Sequence, residues 1–87
     1  MREYRLAADL SVIETFHRAN SRERVELLEI FRALLRNPNQ DGDWKVRDAT
    51  GRLMEIKICR RWQVTFWLDS PVNELRVVEV SRVSVGS

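Results

Sequence analysis

Leu53-Met54-Glu55-Ile56-Lys57-Ile58-Cys59, Arg60-Arg61, Trp62-Gln63-Val64-Thr65-Phe66-Trp67-Leu68: two runs rich in β-branched and aromatic residues, joined by a two-residue link. Apolar side chains alternate with polar ones through both runs, the period of a pleated strand rather than a helix. A third run, Leu75 to Val83, follows the turn-forming segment Asp69-Ser70-Pro71-Val72-Asn73-Glu74. Links this short leave no room for crossover helices, so the three runs predict an antiparallel meander. Alternation also divides the faces. Met54, Ile56, Ile58, Val64, Phe66, Leu68, Val78 and Val80 are expected to face a helical layer. Glu55, Lys57, Gln63, Thr65, Trp67, Val77, Glu79 and Ser81 are expected on an open face, where a functional site would sit. Burying the eight apolar residues is worth roughly 12–24 kcal/mol as an upper figure, which marks them as structural.

Working toward the N-terminus, Trp44-Lys45-Val46-Arg47 alternates briefly between two turn-rich segments. Before it lies the clearest helix. Val25, Leu27, Leu28, Ile30, Phe31, Leu34 and Leu35 recur at three- and four-residue steps, and Asn37-Pro38 ends the pattern. Asn20 or Ser21 can cap this helix, with Glu23 in its electropositive first turn. A shorter helix up to about Ala19 is expected to begin with a capping box, Ser11-Val12-Ile13-Glu14, and to carry Val12, Phe16 and Ala19 on one side. Tyr4-Arg5-Leu6-Ala7 is a candidate edge strand. These elements predict an α+β domain over 1–87: an N-terminal helical hairpin packed on a twisted antiparallel sheet of three to four strands.

Eighty-seven residues suit one domain, and 44% apolar with 32% charged residues is a globular mixture. No apolar run reaches the roughly 18 residues of a membrane span, and Arg2, Glu3, Arg5 and Asp9 interrupt any export signal, so a cytoplasmic, membrane-free protein is expected. Cys59 is the single cysteine, which excludes an intramolecular disulfide and a cysteine-based zinc site. Net charge is only +2, but of the 15 basic residues all except Lys45 and Lys57 are arginine, the side chain best shaped for phosphate.

The order of a short strand, two helices ending near Asn-Pro and three uncrossed strands resembles the RelE/ParE superfamily of bacterial toxins. The resemblance runs from about Tyr4 to Val83. Its most specific stretches are Leu53-Met54-Glu55-Ile56-Lys57-Ile58, Arg61-Trp62-Gln63-Val64-Thr65-Phe66 and Leu75-Arg76-Val77-Val78-Glu79-Val80. It implies the toxin of a toxin–antitoxin pair, with an antitoxin protein as partner. It also implies a ribosome-dependent mRNA endonuclease that needs no cofactor and no metal, in which strand-borne cations stabilise charge at the scissile phosphate. The alternatives are a non-catalytic ParE-like inhibitor of DNA gyrase, and a non-toxic relative serving as a protein-interaction module.

Carried onto this chain, the resemblance makes Lys57, Arg61 and Glu55 the candidate catalytic residues: two cations and a general base. Lys45, Arg60 and Arg82 are the candidate RNA contacts. The chain departs from the family pattern in three places. Gln63 stands where the second strand usually carries arginine, Val83 follows Arg82 where a second cation is common, and no tyrosine lies downstream. Each candidate has a plainer reading. Lys57 could pair with Glu55 or Glu79 across the sheet, and Arg60 and Arg61 could be a solvated turn. Trp62 is a core residue by default. Trp67, pointing away from the helices, is the candidate partner-binding residue, with burial under the segment from Asn37 to Thr50 as its rival. His17 reads as a surface residue.

Overall fold

The computed structural model describes residues 3–83. Strand β1 (Arg5–Ala8) leads into helices α1 (Leu10–Arg18) and α2 (Ser21–Arg36), followed by strands β2 (Trp44–Arg47), β3 (Leu53–Cys59), β4 (Trp62–Asp69) and β5 (Glu74–Arg82). The sheet order is β1-β5-β4-β3-β2. β2 to β5 form the expected meander, all antiparallel. β1 adds a parallel strand on the far edge, with Arg5 opposite Glu74 and Ala8 opposite Val77, giving a mixed five-stranded sheet. The chain enters beside its own last strand. The Arg5 amide donates to the Asn73 carbonyl at 2.9 Å and the Asp9 amide to the Val77 carbonyl at 3.0 Å, before the hairpin crosses the sheet.

α2 starts as its sequence prescribes. Asn20 Oδ1 accepts from the Glu23 amide at 2.9 Å while Glu23 Oε1 accepts from the Asn20 amide at 3.0 Å, a reciprocal capping box. The box expected at Ser11 does not form. β1 hands the chain over at Asp9, whose carbonyl accepts from the Val12 and Ile13 amides, so the helix begins early and Ser11 falls inside its first turn. The Ser11 hydroxyl donates instead to the Val78 carbonyl at 3.3 Å.

The core lies between the hairpin and the sheet: Val12, Leu27, Ile30, Phe31 and Leu34 meet Trp62, Val64, Phe66, Leu75, Val77 and Val80. Two expected face assignments are overturned. On β5, a bulge between Thr65 and Phe66 of β4 leaves Val78 unpaired, since Thr65 opposes Glu79 and Phe66 opposes Val77. The extra residue shifts the alternation by one, so Val77 is fully buried under the helices and Val78 is not.

On β3 the whole assignment reverses. Lys57 lies opposite Val64, Val64 opposite Val80, and Glu55 opposite Phe66, all of them core residues on the helix side. Glu55, Lys57 and Cys59 therefore face the helices. Met54, Ile56 and Ile58 share the other face with Trp44, Thr65 and Trp67. The helical cover explains the reversal, because α1 packs on β5 and α2 reaches β1. β3 lies at the margin of that cover, where a charged side chain on the helix side still finds polar partners. Ile56 (7% exposed) and Thr65 (4%) are buried on the open face itself.

Candidate functional site

The reversal places Lys57 in a cleft between the second half of α2 and β3, a space of ≈310 Å³. Its floor is apolar, from Ile30, Ala33 and Leu34, and its walls carry Arg36, Gln40, Lys57 and Arg60. The Lys57 ammonium donates to Gln40 Oε1, so it pairs with neither Glu55 nor Glu79 and holds its charge without a carboxylate partner among the described residues. Gln40 is brought there by the loop after α2. Gly42 in that loop lies so close to β3 that an added Cβ would sit 2.5 Å from the Ile56 carbonyl oxygen. The Asp43 amide donates to that same oxygen at 2.7 Å.

Arg60, Arg61 and Arg82 line a rim that runs from this cleft past the β3–β4 turn to the end of β5. Each meets a glutamate of α2. Glu29 Oε1 lies 3.5 Å from Arg60. Glu26 Oε1 lies 3.2 Å from Arg61 Nε and accepts from Trp62 Nε1 at 3.3 Å, and Glu26 Oε2 accepts from Arg61 Nη2 at 3.3 Å. Arg82 donates to Glu23 and stacks over Trp62, 4.9 Å from the ring centroid. Hydrogen bonding from Arg82, and then from the Asn20 amide, holds the Glu23 carboxyl below its ordinary range against the opposing effect of burial. Glu23 in turn raises the Arg82 guanidinium. The rim thus gathers three cations and three anions, and Lys57 and Arg36 of the adjoining cleft stand outside these pairs.

These glutamates are the residues that motif reading missed. Their signal was present: Glu23, Glu26 and Glu29 recur every third residue, which sets them along one side of α2. Arg60 is unusual for a further reason, being a left-handed, non-glycine residue (φ 57°) in a two-residue hairpin turn. Such a conformation is uncommon outside Gly, Asn and Asp, and strain of this kind clusters at functional positions.

The other candidates are placed differently. Glu55 Oε1 accepts from the Gly42 amide at 2.8 Å, and Lys45 donates to both Glu55 oxygens at 2.8 and 2.7 Å. Glu55 then raises the Lys45 ammonium, with Asp41 helping. This pair ties the loop after α2 to β3 and leaves Lys45 no charge to spare. Trp67 does point away from the helices. It is half-buried, with the Arg52 guanidinium 4.0 Å and that of Arg76 5.9 Å from its ring centroid, and it is not covered by Asn37–Thr50 alone. Trp62 is a core residue, 1% exposed, and His17 is exposed on α1.

Among the described residues no three His, Cys, Asp or Glu side chains converge as a metal site, and no helix is long and apolar enough to cross a membrane.

A helical hairpin on one face of a mixed sheet is an arrangement found in solved structures of toxin–antitoxin complexes. A chain of the RelBE2 complex from Mycobacterium tuberculosis superposes with a TM-score of 0.76 at 14% identity, covering 94% of this chain and 100% of that one. A chain of the intact E. coli RelBE complex gives 0.61 at 12% identity, covering 93% and 98%. No protein-family model and no curated protein matches the sequence. The chain therefore has the RelE-like fold over nearly its whole length.

Proposed function

We propose that this chain is the toxin of a bacterial toxin–antitoxin pair, held inactive by an antitoxin protein and acting in the cytoplasm. The observation that carries the reading is the end-to-end match to chains of two such complexes, without large insertions on either side. Its finer form is ribosome-dependent cleavage of mRNA along the rim, with Lys57 and Arg61 stabilising charge at the scissile phosphate and Arg60 and Arg82 holding neighbouring phosphates. No cofactor or metal enters that scheme, and Glu55, its candidate base, would have to leave Lys45 and the Gly42 amide to act. The ion pairs do not forbid it. Arg60, Arg61 and Arg82 keep roughly half of their side-chain surface exposed. The Arg60–Glu29 pair is exposed on both sides, and such a pair is worth about 0–1 kcal/mol, less than a bidentate charge-assisted contact to phosphate.

A second reading is favoured by the balanced rim and the aromatic open face. With three arginines neutralised, and with Trp44 exposed and Trp67 half-exposed on that face, a protein target such as DNA gyrase suits the surface better than a polyanion. Induced expression decides. Growth arrest with transcripts cut on the ribosome, and loss of cutting in Lys57→Ala and Arg61→Ala, supports the first form. Arrest with intact transcripts supports the second. Unchanged growth refutes the toxin reading altogether.

A further inference from the structure

The rim carries its own anions, and their placement has a use. Glu26 and Glu29 present carboxylates to the same guanidinium groups that a nucleic-acid backbone would contact, at distances of 3.2 and 3.5 Å. Glu29 is half-exposed and makes no other ion pair among the described residues, so burial does not require it to hold Arg60. The backbone of Arg60 is left-handed, a cost that a turn built for stability alone would avoid with glycine. An arginine kept there at that cost, facing a carboxylate that is free to swing away, is the arrangement of a displaceable contact.

We propose that Glu26 and Glu29 are positioning residues that compete with the phosphates of single-stranded RNA for Arg61 and Arg60, and so set the affinity and salt dependence of the rim. In the free protein the glutamates hold the two arginines extended along the rim. When phosphate arrives it takes the guanidinium, and the released carboxylate recruits a cation from solution. Each such exchange subtracts from the counterion release that drives binding. The rim therefore selects against loose, non-specific polyanion contact and favours RNA fixed in place by further interactions, with Lys57 as a cation that meets no carboxylate competitor among the described residues. This proposal rests on the reading that the rim meets RNA.

The test is fluorescence anisotropy of a labelled single-stranded RNA oligonucleotide with the full chain, titrated from about 50 to 200 mM salt. Glu29→Gln is expected to bind about two- to fivefold more tightly, the range of an exposed ion pair, and Glu26→Gln, which alters a side chain only 13% exposed, to tighten binding in the same direction. Their plots of log affinity against log salt should be steeper by up to about 0.7 each, the single-strand value per phosphate. Glu79→Gln removes the same charge from the opposite face of the sheet and is expected to leave both quantities near wild type. Glutamine at position 26 keeps an acceptor for Trp62 Nε1, and unchanged melting of the Glu29 variant guards against a folding artefact.

Equal tightening by Glu79→Gln, affinity unaltered in both rim variants, or no RNA binding by any variant would each overturn the proposal. The toxin reading is judged separately by growth. Arrest with cut transcripts but no effect of Glu29→Gln rejects the competition alone, and tightened binding without arrest rejects the toxin reading alone.

Discussion

Val77 and Val78 are neighbours of identical chemistry on β5, and the bulge assigns them opposite fates, so replacing each by alanine isolates the register. Val77 is 0% exposed. Its truncation removes two methyl groups from water-free surroundings, about 1.6 kcal/mol of transfer free energy. A residual cavity of roughly 40 Å³ adds about 1 kcal/mol. Val77→Ala should therefore lose about 2.5 kcal/mol, or roughly 10–20 °C in melting temperature for a domain of this size. Val78 is half-buried and lies outside the core cluster, so Val78→Ala should lose under about 1 kcal/mol. The intrinsic cost of placing alanine in a strand is common to both and cancels in the comparison. Urea denaturation followed by tryptophan fluorescence measures both. Equal losses, or a larger loss from Val78→Ala, would show that the alternation runs unbroken through β5 and that the helix-facing set is wrong.

Gly42→Ala should destabilise by about 1–3 kcal/mol, since its Cβ would press on the Ile56 backbone; thermal melting checks this, and a neutral result would mean that the loop does not lie against β3. Arg60→Gly should raise stability by about 0.5–1 kcal/mol through relief of its left-handed backbone, while Arg61→Gly should lower it. Equal losses in the two would remove the argument that Arg60 is retained at a cost. Because the folded-state pKa of Glu23 is depressed, its contribution to stability is complete above the ordinary glutamate range and drains away as pH falls through the folded value. Glu23→Gln should flatten the acid limb of melting temperature below the ordinary glutamate range, and an unchanged limb would assign acid sensitivity to other carboxylates. Burial pushes the Cys59 thiol up, so its alkylation near pH 8 should be slower than that of a free cysteine; an equal rate would place it in open solvent.

The elements of this fold were legible because each is locally consistent. The α2 stripe, the Asn20 cap, the Asn37-Pro38 stop and the three period-two runs all say the same thing at the level of a few residues. The faces were not. Alternation states that Ile56 and Lys57 point to opposite sides, but which side is covered depends on how far α2 extends over the sheet, a long-range fact. Hydrophobicity alone favoured Ile56 for the core. The open face supplied an alternative burial site for it, and Gln40 supplied a polar partner for Lys57. The bulge at Val78 was hidden for a similar reason, since Val77 and Val78 are the same residue and a one-residue slip between them leaves no trace in composition. In the candidate site, the basic residues were visible one by one, but their neutralisation was not, because Glu23, Glu26 and Glu29 lie more than thirty residues away along the chain.

The whole site depends on which side of β3 carries Lys57. Side-chain nuclear Overhauser effects in the labelled protein measure this directly. With Lys57 on the helix side, cross-peaks are expected from the Lys57 ε-methylene to the Gln40 side-chain amide and the Val64 methyls, with Ile56 methyls seen from Thr65 and the Trp44 indole. Cross-peaks from Lys57 to Thr65 or Trp44, with Ile56 seen from Val64, would return the lysine to the open face and contradict this placement.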